Sequence, residues 1–188
     1  MRDEDVGPEA STPDAPGHLE RSNTIRAGVF GIQDGIVSNF GLVMGVAGAQ
    51  ISPEAVLIAG AAGLASGSLS MGAGEYVSVR TQRELLEIGA VVDDDDNVSP
   101  YRAAFANGAL FIVGGSVPLA PFLFLQGFAA VVVSSLLSVL ALFGAGAVLT
   151  RLTRRNPVRS GMRLLVIGGG AGIVGYALGT VLGGAVGA

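Results

Sequence analysis

No cysteine occurs anywhere in the 188 residues. That excludes disulfides, thiolate metal sites and cysteine nucleophiles. Lysine is also absent, since every basic residue is arginine. A phosphate loop ending in Gly-Lys-Ser/Thr is therefore ruled out, as is Schiff-base chemistry. The single histidine, His18, lies in a polar N-terminal stretch and is expected to be inert. Neither H-E-x-x-H nor G-x-S-x-G is present, so hydrolytic catalysis has no visible machinery and no enzyme is expected. Charge is scarce at 14%, against about 25% in soluble domains. The net charge of -4 gives no support for nucleic-acid binding.

What the chain has is apolar length and glycine. Half the residues are hydrophobic, 30 are Gly, and the mean hydropathy is +0.60. The glycines lie inside the apolar runs, where small residues let membrane helices approach closely. Five apolar segments stand out, at about 27–49, 55–79, 103–125, 128–150 and 164–187. Each is long enough to cross a hydrocarbon core of roughly 30 Å as a helix. The fold class is therefore all-α: a polytopic membrane protein with five transmembrane helices over residues 25–188. Residues 1–24 are polar and carry Pro8, Pro13 and Pro16. They read as a disordered cytoplasmic tail and lack the apolar core of a signal peptide.

Arginine placement sets the orientation. Arg80, Arg83 and Arg102 lie between the second and third segments, and Arg151, Arg154, Arg155, Arg159 and Arg163 between the fourth and fifth. The other two connections carry none. The positive-inside rule places both Arg-bearing loops and the N-terminus in the cytoplasm, and the C-terminus outside.

Small residues recur at helical spacing. They are Gly31, Ser38, Gly41, Gly45 and Gly48 in the first segment, Gly60, Gly63, Gly67 and Gly74 in the second, and Gly168, Gly172, Gly175, Gly179 and Gly183 in the fifth. Such stripes are close-packing faces, but they do not say which helix is the partner. The first stripe, through Gly41 and Gly45, suggests a homodimer packed through helix one.

Only two ionisable carboxylates lie inside the five segments, Asp34 and Glu75. Charge in a bilayer is rare and usually functional. Asp34 is one turn from Ser38 on the small-residue stripe, which turns it toward other helices. The plainer alternative is an Asp hydrogen-bonded to a neighbouring helix. Glu75 is near Arg80 and can instead snorkel to the interface. Ser68, Met71 and Glu75 share a helix face, although a lone membrane Met is more often packing than ligand. Depth brings two of these residues together. Asp34 lies roughly 12 Å beyond Arg26, and Met71 roughly 13 Å before Arg80, at 1.5 Å per residue. Antiparallel neighbours then hold Asp34 and Met71 at one level, with Glu75 a turn nearer the cytoplasm. A carboxylate with a thioether suits a borderline transition metal better than Ca²⁺ or Mg²⁺.

Two other patterns carry less. Gly170, Gly172 and Gly175 fit G-x-G-x-x-G, but the βαβ context and the following acidic residue of a dinucleotide site are missing. Asp93 to Asp96 read as a solvated acidic loop.

The stretches RAGVFGIQDGIVSNFGLVMGVAGA (26–49) and ASGSLSMGAGEYVSVRTQ (65–82) resemble the first two helices of the vacuolar iron transporter family, most closely its bacterial and nodulin-like members. The resemblance implies five helices per subunit, a homodimer with the pathway along its interface, and exchange of cytosolic metal for protons. It places the family's intramembrane Asp at Asp34 and its second-helix Met at Met71. Glu75 occupies a position that is Gly in some members. Many members carry a Glu-rich cytoplasmic metal-binding domain between helices two and three. Here that connection is only 80–102, with Glu84 and Glu87 either a remnant of the domain or partners of Arg80 and Arg83 one turn away.

The expected function is export of divalent metal (Fe²⁺ or Mn²⁺) by proton antiport. The metal candidates are Asp34, Met71 and Glu75, with Ser38, Glu84 and Glu87 weaker. No permanently bound cofactor is expected. The expected partners are the lipid bilayer, a second copy of the chain, the metal ion and protons. The competing readings are a non-transporting membrane scaffold or regulator, and a proton-handling membrane subunit.

Overall fold

The computed structural model describes residues 16–89, 99–153 and 156–186. Five long helices run in order: α1 Pro16–Gly48, α2 Pro53–Glu87, α3 Pro100–Leu119, α4 Gly127–Thr153 and α5 Pro157–Val186. Each has a stretch long and apolar enough to cross a membrane. The chain is thus an integral, multi-pass all-α membrane protein.

Local sequence explains where the helices begin. Pro opens α2, α3 and α5, at a position where its missing N–H costs nothing. Before α2, the Ser52 hydroxyl accepts a bond from the Ala55 N–H at 3.3 Å. Gly127 turns the chain into α4 with a φ of +59°, a left-handed conformation that suits a residue without a Cβ.

Three boundaries depart from the sequence expectation. Residues 16–24, read as part of a disordered tail, belong to α1, because extending an anchored helix is far cheaper than nucleating one. Residues 1–15 of that tail lie outside the described residues. The α2 helix continues through Arg80 to Glu87, 35 residues in all. At 1.5 Å each that is roughly 52 Å, more than a bilayer core of about 30 Å. The third span narrows after Leu119 into a 3-10 turn, Ala120–Leu123, because Pro118 and Pro121 cannot donate to the helical ladder. There the Pro118 carbonyl accepts from the Ser134 hydroxyl of α4 at 2.7 Å.

The helices alternate in direction. Ala27, Val79 and Ala103 cluster at one end of the bundle, joining the first half of α1, the latter part of α2 and the start of α3. Phe40, Val43, Met44, Val56, Phe122 and Ala130 form the core of the opposite half.

The central element is α1. It packs most extensively on α3 and α5, and less on its sequence neighbour α2. Backbone meets backbone at these seams. A Cβ on Gly35 would strike the Phe111 carbonyl, and one on Gly114 the Ile32 carbonyl. On the other side, Gly175 faces the Gly41 carbonyl and Gly179 the Gly45 carbonyl. The α5 stripe therefore has its partner inside the chain. Gly41 and Gly45 thus lie against α5, and the same two glycines line an open apolar groove between α1 and α5.

Candidate metal site on helices one and two

The polar residues of α1 and α2 meet at a cavity of about 230 Å³. From α1 it is lined by Asp34, Ser38, Asn39 and Leu42, and from α2 by Gly63, Gly67, Ser70 and Met71. The α2 set follows i, i+4, i+7 and i+8 spacing, one stripe of a helix. Its glycines make the room. A Cβ on Gly67 would strike the Phe111 ring, and one on Gly63 would lie 2.5 Å from Leu42 Cδ2. Asp34 is half-buried, while Ser38, Leu42 and Ser70 are exposed. The cavity thus opens on the outer face of the bundle rather than lying sealed within it.

Asp34 and Met71 are therefore brought to one cavity. Ser38 joins them, its hydroxyl donating to the Asp34 backbone carbonyl at 2.6 Å. That bond uses the proton and leaves oxygen lone pairs that can face an ion. Glu75 lies elsewhere: its Oε2 accepts from Asn107 Nδ2 of α3 at 3.3 Å. Ser68 likewise turns to α3, donating to the Gly108 carbonyl at 2.9 Å. The expected Ser68–Met71–Glu75 face is thus split between two neighbours, and Ser70 lines the cavity in place of Ser68. Glu84 pairs with Arg80, Nε to Oε1, at 2.9 Å, and Glu87 is exposed on the last turn of α2. Asp93 to Asp96 lie outside the described residues. Among the described residues, no three His, Cys, Asp or Glu side chains gather into one cluster.

Two buried amides were not singled out by the sequence. Asn39 is 2% exposed and Asn107 is 1% exposed. Asn39 Nδ2 donates to the Gly115 carbonyl at 2.7 Å. A carbonyl can only accept, which fixes the amide orientation and turns Oδ1 the other way. The Oδ1 atoms of both residues are buried without a hydrogen-bond partner. An asparagine in an otherwise apolar helix was the available signal, but it carries no charge, and the sequence reading weighed ionisable groups, Met and the Ser residues beside them.

Chemically, the cavity offers one carboxylate, one thioether and neutral oxygens. This is a sparse mixed set, better suited to transient binding of a transition metal than to locking it in place. Beside it, Leu42 also borders an apolar groove of about 640 Å³ between α1 and α5. The exposed strip of α1 therefore runs between the cavity that holds Asp34 and an apolar trough.

Helix number, length and alternation define a class, the polytopic all-α membrane proteins. The sequence profile of the VIT family matches residues 25–90 and 86–180, and the chain belongs to that family. It is 35% identical over 172 residues to vacuolar iron transporter homolog 2 of Oryza sativa subsp. japonica, covering 85% of this chain and 91% of that protein. It is 33% identical over 168 residues to vacuolar iron transporter homolog 2 of Arabidopsis thaliana, covering 86% and 84%. With homolog 5 of Oryza sativa subsp. japonica it shares 39% over 163 residues, covering 80% and 76%.

Proposed function

We propose that this protein is a metal transporter that exports Fe²⁺ or Mn²⁺ from the cytoplasm in exchange for protons. The observation that carries the reading is the meeting of Asp34 and Met71, from antiparallel helices, at one cavity. The Asp34 oxygens can hold a proton or a divalent ion in turn, which is the minimum chemistry of exchange. Met71 adds a soft donor that favours transition metals over Ca²⁺ and Mg²⁺. Glu75, held by Asn107 a turn nearer the cytoplasmic end, guides ions toward the cavity. The Arg distribution supports a cytoplasmic N-terminus and an outer C-terminus.

The working unit is a homodimer through helix one. The face it uses is the exposed strip of Ser38 and Leu42 beside Asp34, which continues into the groove lined by Gly41 and Gly45. A second copy there closes the open side of the cavity.

The test is uptake of Fe²⁺, Mn²⁺, Co²⁺ and Zn²⁺ into proteoliposomes, with and without a pH gradient. Metal flux coupled to opposite proton movement is expected. Asp34→Asn keeps the side-chain shape but removes charge and titration, so it is expected to abolish that coupling while the protein stays folded in detergent. Proton flux without metal would favour the proton-handling reading, and no flux of either kind the scaffold. Normal Fe²⁺-driven proton flux in Asp34→Asn would sink the mechanism.

A further inference from the structure

The exit route from Asp34 poses an electrostatic problem. Five residues farther along α1, roughly 7.5 Å at 1.5 Å per residue, the helix reaches Asn39. Beyond it lie Leu42 and the apolar half of the bundle. A partly dehydrated divalent ion in such surroundings is strongly disfavoured unless oxygen atoms replace its water. Asn39 Oδ1 is such an oxygen. It is buried without a partner, and its Nδ2 is committed to the Gly115 carbonyl at 2.7 Å. It also points across the seam toward α2, where a Cβ on Gly63 would sit 3.1 Å from it. Asn39 and Gly63 both line the cavity that holds Asp34 and Met71.

From this geometry we propose that Asn39 is a neutral relay ligand, its side-chain oxygen receiving the metal ion from Asp34 and Met71 on the outward side, across the gap left by Gly63. The inference rests on the transport reading above. A neutral carbonyl suits a relay, since conduction needs each site to bind well enough to admit the ion and weakly enough to release it. Gly63 is the other half of the device, because the missing side chain leaves the oxygen uncovered. Leu42 borders the same gap from an exposed position on α1, so its flexible end can swing aside.

The two halves can be tested separately. Asn39→Ala removes the oxygen, and also the bond to Gly115. Gly63→Ala keeps Asn39 and that bond but sets a methyl 3.1 Å from Oδ1. Its other close neighbour, Leu42 Cδ2 at 2.5 Å, is the movable end of a side chain, and Ala is the better helix former. Mn²⁺ is the probe. Equilibrium Mn²⁺ binding and melting are measured on purified protein in detergent, and maximal Mn²⁺ flux in proteoliposomes.

Both variants are expected to bind Mn²⁺ within about twofold of the parent and to lose about tenfold in maximal flux, the size typical of losing a supporting metal contact. If Asn39→Ala fails to fold, Gly63→Ala decides. Unchanged flux in folded Gly63→Ala overturns the relay. So does a loss of binding in step with flux, which would make the pair mere cavity wall. A parent protein that moves no metal would instead bring down the transport reading, and the relay with it.

Discussion

The seam between α1 and α5 makes a sharp demand on single atoms. Consider Gly→Ala at two positions of α5. At Gly169 the added methyl would meet nothing within 4 Å. At Gly179 it would fall on the Gly45 carbonyl and within 3.0 Å of the Ala49 nitrogen. Both atoms are backbone, so relief requires moving a helix rather than a side chain. Overpacking of this kind costs about 1–3 kcal/mol, and a backbone clash belongs at the upper end. The helix propensity of Ala returns about 1 kcal/mol at either site. The net expectation is a loss of about 2 kcal/mol for Gly179→Ala and a gain of up to about 1 kcal/mol for Gly169→Ala. At about 2–4 °C per kcal/mol for a chain of this size, Gly179→Ala should melt roughly 6–12 °C below Gly169→Ala. The assay is thermal unfolding of both variants in one mild detergent, followed by circular dichroism. Melting points within about 2 °C of each other would refute the close α1–α5 approach.

Three further outcomes are expected. Met71→Leu preserves packing volume, so in proteoliposomes it should weaken transport of the softer Co²⁺ and Zn²⁺ more than that of Mn²⁺; an equal loss for all ions would remove Met71 from the ligand set. With single cysteines at Asn97 and Gln126, an impermeant thiol reagent on intact cells should label the second and not the first, and the reverse pattern overturns the orientation. Glu84→Gln breaks an ion pair whose partners are 59% and 57% exposed, so its melting point should stay within about 2 °C of the parent; a larger fall would mean that the end of α2 is held by more than a surface pair.

Much of the architecture was legible because the bilayer enforces it. Asp34 and Glu75 stood out against long uncharged runs, and depth alone put Asp34 beside Met71. Most of the small-residue stripe positions marked close contacts, although Gly74 meets nothing within 4 Å, and a stripe records distance and not identity. Gly41 and Gly45 thus suggested a second chain, while Gly175 and Gly179 of the same chain also lie against them. Sequence adjacency misled in a similar way, since α1 rests more on α3 and α5 than on α2. Helix ends in water were also hard to read. Arg159 and Arg163 looked like loop, yet α5 begins at Pro157, because a helix emerging from the membrane can keep polar residues without desolvating them. Asn39 and Asn107 were missed because what sets them apart is a carbonyl oxygen left without a donor, and that depends on which helix lies opposite.

The central position of α1 also has a consequence in time. Asn39 and the Gly115 carbonyl that it binds are 76 residues apart, which at about 5–20 residues per second is roughly 4 to 15 s of synthesis. Until α3 arrives, α1 carries an Asn amide without its partner and the carboxylate of Asp34. Until α5 arrives, last of all, its Gly41–Gly45 groove is bare as well. Of the five helices the first in order is therefore still incompletely packed until the fifth is made. Throughout that interval it is the part of the nascent chain most in need of shelter beside the insertion machinery, and a ribosome stalled before α5 would leave this groove open to the first foreign helix that drifts past.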